Sequence, residues 1–216
     1  EPGEEVLCLE NWCAYSPALG RDILKDINIS VRAGEIVGIA GLMGSGRTEL
    51  AKSIFGNPDH YRVSGSLRVK GEEQKFRNPG DAIQSHLAYV TEDRKGNGLI
   101  LIDDVRHNIT LANLKEIAER GIINENEEIV IASDYKESLN IKTPSIEQKV
   151  RNLSGGNQQK VSLGKWLFVK PGVMILDEPT RGIDVGAKYE IYTIMNSLVD
   201  KRSEEHTSEL QSLSSI

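Results

Sequence analysis

An α/β fold interrupted by a helical lobe is what this sequence predicts, on three observations. Ile36-Val37-Gly38-Ile39-Ala40 is a continuous apolar run with β-branched residues, the pattern of a strand buried on both faces. That run leads straight into a glycine-rich turn and then a helical stretch. Residues 103–149 then change to helix-like spacings between two stretches of α/β character.

In chain order, residues 6–9 and the alternating Ile27, Ile29 and Val31 predict strands of one sheet, the second ending at the turn Arg32-Ala33-Gly34. A helix is expected over residues 48–55, a strand over 65–70, a helix over 79–86 and a strand over 87–90. The lobe follows, with Ile109, Leu111, Ala112 and Leu114 and later Ile129, Ala132, Tyr135 and Leu139 at helical spacing. A helix after Gly156, the apolar strand Val173-Met174-Ile175-Leu176 and a helix from Val185 to about Val199 return the chain to α/β character.

Composition narrows the class. With 216 residues, 38% hydrophobic and 27% charged, the chain is long enough for one globular domain with an inserted lobe. A formal charge of −6 gives no broad basic footprint for nucleic acid or an anionic membrane, so any bound phosphate is held locally. No apolar stretch approaches the length of a bilayer span, and the opening Glu1-Pro2-Gly3-Glu4-Glu5 is unlike a signal peptide, which reads as cytoplasmic. Cys8 and Cys13 have no matching His or Cys cluster and read as free thiols.

Three motifs carry chemistry. Gly41-Leu42-Met43-Gly44-Ser45-Gly46-Arg47-Thr48 lies between a strand and a helix, the context of a phosphate-binding loop. Gly41, Gly44 and Gly46, with Ser45, let successive backbone N–H groups and a helix start face an anion, and the Thr48 hydroxyl suits Mg²⁺. The usual lysine is replaced by Arg47, a planar fork that does not simply substitute for a compact ammonium. The strand over residues 173–176 ends in Asp177 and Glu178, at the carboxyl edge where such folds bind ligand. Asp177 suits a metal shell, and Glu178 suits the polarisation of an attacking water. Leu153-Ser154-Gly155-Gly156-Asn157-Gln158-Gln159-Lys160 places a hydroxyl and two glycines at a helix start, fit to meet a γ-phosphate.

With the glycine loop before it and Asp177-Glu178 after it, this last stretch resembles the signature motif of ATP-binding-cassette (ABC) proteins. Likeness to the second, carboxy-terminal cassette of bacterial monosaccharide-importer ATPases extends over residues 6–202. It is sharpened by Ala88-Tyr89-Val90-Thr91-Glu92-Asp93-Arg94-Lys95-Gly96, by residues 177–189, and by Gly98-Leu99 with Leu101-Ile102-Asp103-Asp104, which are most similar to multiple-monosaccharide transporters of the xylose, glucose and galactose kind. The resemblance implies a P-loop NTPase (ABC-type ATPase) core with an N-terminal antiparallel β subdomain and an inserted helical subdomain, cut short at its C-terminus. Its implied boundaries are a core over 1–91 and 161–201 and a helical subdomain over 92–160. ATP and Mg²⁺ are the implied ligands, with Thr48, Glu92 and Asp177 toward the metal. Glu92 stands at the position where most members carry the Q-loop glutamine, and adds negative charge there. Tyr15 is the candidate for stacking on adenine, with a tyrosine packed at a strand edge as the alternative. Gln158 belongs to the implied nucleotide-binding set, and Asp184 in Arg181-Gly182-Ile183-Asp184 matches the D-loop.

The implied partners are a first cassette, membrane permease subunits and, indirectly, a periplasmic sugar-binding protein, at the cytoplasmic face of the bacterial inner membrane. Arg47 and Glu92 together leave open a cassette that binds nucleotide with little turnover. A non-transport ABC protein is the other alternative. Chromosome-maintenance ATPases carry long heptad arms that this lobe lacks, and the acids Glu125, Glu127 and Glu128 argue against RNA contact by a translation-factor cassette. Residues 202–216 turn polar and Ser/Glu-rich, and 202–212 resemble an in-frame translation of a sequencing-library adapter. This predicts a non-native tail outside the domain.

Overall fold

The computed structural model describes residues 3–213, with side chains through residue 199. Two compact units are present, one containing the chain up to Ser85 and from Tyr192 onward, the other His86–Ile191.

In the first unit β1 (Glu5–Ser16) and β2 (Arg21–Arg32) make an antiparallel hairpin. The free edge of β1 pairs with β3 (Arg62–Val69), and β3 with β4 (Glu72–Glu73). Leu7, Leu9, Trp12, Ala14, Leu24, Leu67 and Val69 are buried. The inward set along β1 changes from odd to even positions between Leu9 and Trp12, which requires an extra residue in the strand. Asn11 takes that place with φ 49°, and Gly65 opposite it has φ 100°. A Cβ at Gly65 would lie 2.5 Å from the Asn11 carbonyl oxygen, so only glycine fits the bulge. Helix α1 (Arg47–Ile54) buries Leu50, Ala51 and Ile54, and the Trp12 indole N–H donates to Ser53 Oγ at 3.0 Å, fastening the helix to the sheet. Helix α2 (Pro79–Gln84) starts on a proline, with the Asn78 side chain accepting from the Asp81 N–H.

The strand expected over residues 36–40 is not formed. Ile36, Val37 and Ile39 are 56%, 40% and 49% exposed, and no described residue pairs with the segment. An apolar β-branched run becomes a strand only where neighbours complete its ladder, and the described residues offer none.

In the second unit β5 (Leu87–Val90) and β8 (Val173–Leu176) pair in parallel, Leu87 opposite Val173 and Val90 opposite Leu176. All four residues of β5 are buried. The lobe contains α3 (Val105–Thr110), a 3₁₀ stretch (Leu111–Ile117), α4 (Glu125–Ser138) and α5 (Gly155–Leu167). Its core includes Val105, Ile109, Ala132, Leu139, Ile141, Val161 and Leu163. Tyr135 and Phe168 meet edge to face at 6.4 Å. Within the stretch read as helical, β6 (Ala118–Glu119) and β7 (Ile122–Ile123) form a small hairpin, turned at Arg120 and Gly121, both with positive φ. Helix α6 (Val185–Leu213) continues past the expected end near Val199. The expectation that the tail lacks core contacts concerns side chains, Leu210 and Leu213 among them, that lie outside the described residues. Cys8 is buried and Cys13 half-buried, both as free thiols.

Candidate functional site

The first unit holds Tyr15 and the glycine turn. Gly44 and Gly46 have φ of 78° and 90°, values that favour glycine, and Ser45 N–H donates to the Leu42 carbonyl at 3.1 Å, closing the turn. A Cβ at Gly41 would run into Ser45 Oγ, so a larger residue there would turn the Ser45 hydroxyl aside. Gly46 caps α1, and a Cβ on it would lie 3.0 Å from Leu24 Cδ2 and 3.2 Å from the Ile23 carbonyl, so the loop ends against β2. Arg47 and Thr48 open α1 and are half-buried. Tyr15 is half-buried on β1, opposite Asp22 on one side and Arg62 on the other. The Arg62 guanidinium lies 5.8 Å from the Tyr15 ring centroid.

The second unit holds the remaining residues. The parallel register of β5 and β8 brings the chain after each strand to one sheet edge, with the Asp177 N–H donating to the Val90 carbonyl at 2.9 Å. Asp177 is buried, and the Tyr89 hydroxyl donates to its Oδ2 at 3.3 Å. Burial, reinforced by the charges of Asp177 and Glu92, pushes the Tyr89 phenol well above its ordinary range. Tyr89 therefore stays a neutral donor beneath the two carboxylates. Glu92 Oε2 accepts from the Thr91 hydroxyl at 3.0 Å. Glu178 follows Asp177 with φ 43°, a left-handed backbone uncommon outside glycine, and is exposed with Oε2 3.7 Å from Arg181 Nη1.

Ser154 caps α5, its Oγ accepting from the Asn157 N–H at 3.4 Å and from Asn157 Nδ2 at 2.9 Å. Asn157 Oδ1 in turn accepts from the Lys142 N–H at 2.8 Å. Gln158 is turned inward, its Nε2 donating to the Val150 and Leu153 carbonyls at 3.2 and 3.3 Å, and so braces the turn from below. Asp184 caps α6 by accepting from the Ala187 N–H at 2.9 Å. Ser154, Gly156, Asn157, Lys142, Lys160, Asp184 and Glu190 line a cavity of about 250 Å³ at the start of α5. Helix-start N–H groups with two lysines favour an anion there, while Asp184 and Glu190 limit the net positive charge.

Sequence reasoning missed several supporting residues. Lys160 is buried and donates to the Asn140 carbonyl at 2.7 Å, and its Nζ lies 2.5 Å from Glu190 Oε2. That hydrogen bond holds the Glu190 carboxyl below its ordinary range. Arg94 Nη1 and Nη2 donate to the Arg181 and Gly182 carbonyls. Tyr89 beneath Asp177 and Arg62 over Tyr15 complete the set. Strand register could have suggested the last, since Arg62 is the cross-strand partner of Tyr15.

A glycine turn that opens a helix, two carboxylates at a parallel sheet edge and a capped Ser-Gly-Gly helix start define the class: this is the P-loop NTPase fold in its ATP-binding-cassette form. Solved cassettes share it. A nucleotide-free ATP-binding cassette from an ABC transporter matches 92% of the chain, and 79% of its own length is covered, with a TM-score of 0.77 and 21% identity. The cassette MJ0796, determined as a dimer in a post-hydrolysis state bound to ADP and Pi, matches 90% and is 83% covered, with a TM-score of 0.75 and 22% identity.

The chain belongs to the ABC transporter family, whose profile matches residues 24–181. It is 55% identical over 199 residues to the L-arabinose transport ATP-binding protein AraG of Geobacillus stearothermophilus, a match over 92% of this chain and 39% of that protein. It is 51% identical over 200 residues to the xylose import ATP-binding protein XylG of Thermoanaerobacter pseudethanolicus, with the same coverage, and 50% identical over 177 residues to the ribose import ATP-binding protein RbsA of Clostridium tetani, over 81% of this chain and 34% of that protein. The chain thus spans about two fifths or less of the length of these relatives. Among the described residues no helix is long and apolar enough to cross a membrane.

Proposed function

We propose that this chain is an ATP-binding and ATP-hydrolysing cassette that powers monosaccharide uptake through a partner permease, and that it is the second of two cassettes in its protein. The observation that carries the reading is the 55% identity with an L-arabinose transport ATP-binding protein along 92% of the chain. Residues 1–91 and 161–201 serve as its core and 92–160 as its helical subdomain. The work takes place at the cytoplasmic face of a bacterial inner membrane, with a first cassette and permease subunits as direct partners and a periplasmic sugar-binding protein beyond them. Pentoses are the favoured cargo, since arabinose, xylose and ribose name the relatives.

The residues fit MgATP. Glycine-turn N–H groups and the start of α1 suit the phosphates, and Tyr15, with Arg62 already over its ring, is the candidate for stacking on adenine. Thr48, Asp177 and Glu92 each offer a hard oxygen donor of the kind Mg²⁺ prefers. Mg²⁺, when bound, neutralises charge developing on the transferred phosphoryl group. Glu178 is the candidate for polarising water. Ser154, Gly155 and Gly156 are offered to ATP on the opposing cassette's glycine loop, with Asp184 beside them, while Gln158 braces the turn.

A second reading, nucleotide binding with slow turnover at this chain's own glycine loop, is favoured by Arg47 in place of lysine, by Glu92, and by Arg181 beside Glu178. The test is MgATP-dependent phosphate release and pentose uptake by the whole protein with its permease. Coupled hydrolysis and uptake are expected, and Arg47→Lys should change turnover more than nucleotide affinity. A protein that binds no MgATP, or whose loss leaves uptake of all three pentoses unchanged, would refute the reading.

A further inference from the structure

We infer that Arg94 is a positioning residue that clamps the loop between Glu178 and Asp184 against the Ser154–Gly156 turn. Arg94 opens a π-helical turn (Arg94–Gly98) immediately after Glu92 and Asp93. Both ends of that turn are anchored. Asp93 Oδ1 accepts from the Gly96 N–H at 3.0 Å, and buried Lys165 donates to the Gly98 carbonyl at 2.5 Å. From this base the guanidinium reaches 87 and 88 positions along the chain. Nη1 donates to the Arg181 carbonyl at 2.7 Å and Nη2 to the Gly182 carbonyl at 3.2 Å.

The fork is also pressed against the signature turn, since a Cβ at Gly155 would lie 3.0 Å from Arg94 Nη2. One side chain thus touches both the helix start carrying Ser154 and the loop that ends at the Asp184 cap. Arg94 Nε is buried without a protein partner, so the group is held there although one donor goes unsatisfied. Two successive carbonyls, each taken by a different guanidinium nitrogen, suit a two-pronged fork. A lysine ammonium reaches one carbonyl and leaves the other unpaired.

The inference rests on the reading that Ser154, Gly155, Gly156 and Asp184 face nucleotide, and its test separates the two. Hydrogen–deuterium exchange is followed in the whole protein carrying Arg94→Lys or Arg94→Met. Amides of residues 180–184 are expected to exchange about tenfold faster or more in both variants, because charge-assisted bonds that close the loop are lost. Residues 87–90 and 173–176 should keep their protection. ATP hydrolysis should fall about tenfold in kcat with KM for ATP within about twofold, the mark of lost positioning and not of lost binding. Arg94→Lys should not restore kcat. Unchanged exchange at 180–184 in both variants would overturn the clamp. So would faster exchange that spreads equally to 173–176 in the lysine variant, or altered exchange with kcat unmoved. If the unmodified protein hydrolyses no ATP, the functional reading fails, and exchange at 180–184 still decides whether Arg94 holds the loop.

Discussion

Gly156→Ala is the perturbation whose cost is most directly worked from the structure. A Cβ at Gly156 would lie 2.5 Å from the Ala187 Cβ, where carbon atoms in contact ordinarily keep about 3.5–4.0 Å. The starts of α5 and α6 would have to part by about 1 Å. Overpacking of this kind costs about 1–3 kcal/mol, offset by at most about 1 kcal/mol of helix propensity gained on replacing glycine. The net loss of about 0–3 kcal/mol lowers Tm by up to roughly 12 °C for a domain of this size. Thermal unfolding followed by far-ultraviolet circular dichroism measures it. Gly186→Ala is the control, since a Cβ there meets Asp184 Oδ1 at 3.4 Å, an ordinary contact, and Tm should stay within about 2 °C. Ala187→Gly in the Gly156→Ala background should recover about 1 kcal/mol relative to the sum of the single changes. A Gly156→Ala protein whose stability Ala187→Gly changes no more than it changes the parent's would refute the close approach of these helices.

Two pH effects follow from the second unit. The Asp103 carboxylate, 3.0 Å from His107 Nδ1, raises the His107 pKa with help from Asp104 and Glu128, while Arg106 Nη2 lies 3.2 Å from His107 Nε2. Its stabilisation is present in full below about pH 6.5, the unfolded value, and is lost as pH rises through the raised native value. Urea midpoints between pH 5.5 and 8 should show this slope, and His107→Gln should flatten it. Burial pulls the Lys165 ammonium down to about 8. Between about pH 8 and its unfolded value near 10.4 the unfolded chain binds more protons, so stability should rise with pH across that window, and Lys165→Met should remove the rise.

Much of the frame was legible because it is written in local pattern. The strands expected at 87–90 and 173–176 appear with those bounds, and the glycine turn opens a helix within one residue of the expected start. The Ser154 cap was readable from a hydroxyl before two glycines. Residues 36–40 misled because ladder partners, not apolar character, decide whether such a run becomes a strand. The β6–β7 hairpin escaped because two-residue strands have no measurable period. Tyr89 beneath Asp177 and Arg94 against residues 181 and 182 join positions almost 90 residues apart, which no local spacing encodes. Tyr89 and Arg94 stand in a stretch quoted from the sequence, but the contacts by which they hold residues 177, 181 and 182 were not legible there.

Ser154, Gly155 and Gly156 are proposed to act on a nucleotide held by a partner cassette. The most direct test is the ATP hydrolysis rate of the whole protein with its permease, measured for Ser154→Ala and Arg47→Ala side by side. Loss of a donor that meets charge developing on the γ-phosphate should lower kcat about a hundredfold or more in Ser154→Ala, with a smaller loss in Arg47→Ala. A correctly folded Ser154→Ala protein that hydrolyses ATP at the unmodified rate would rule out this role for Ser154.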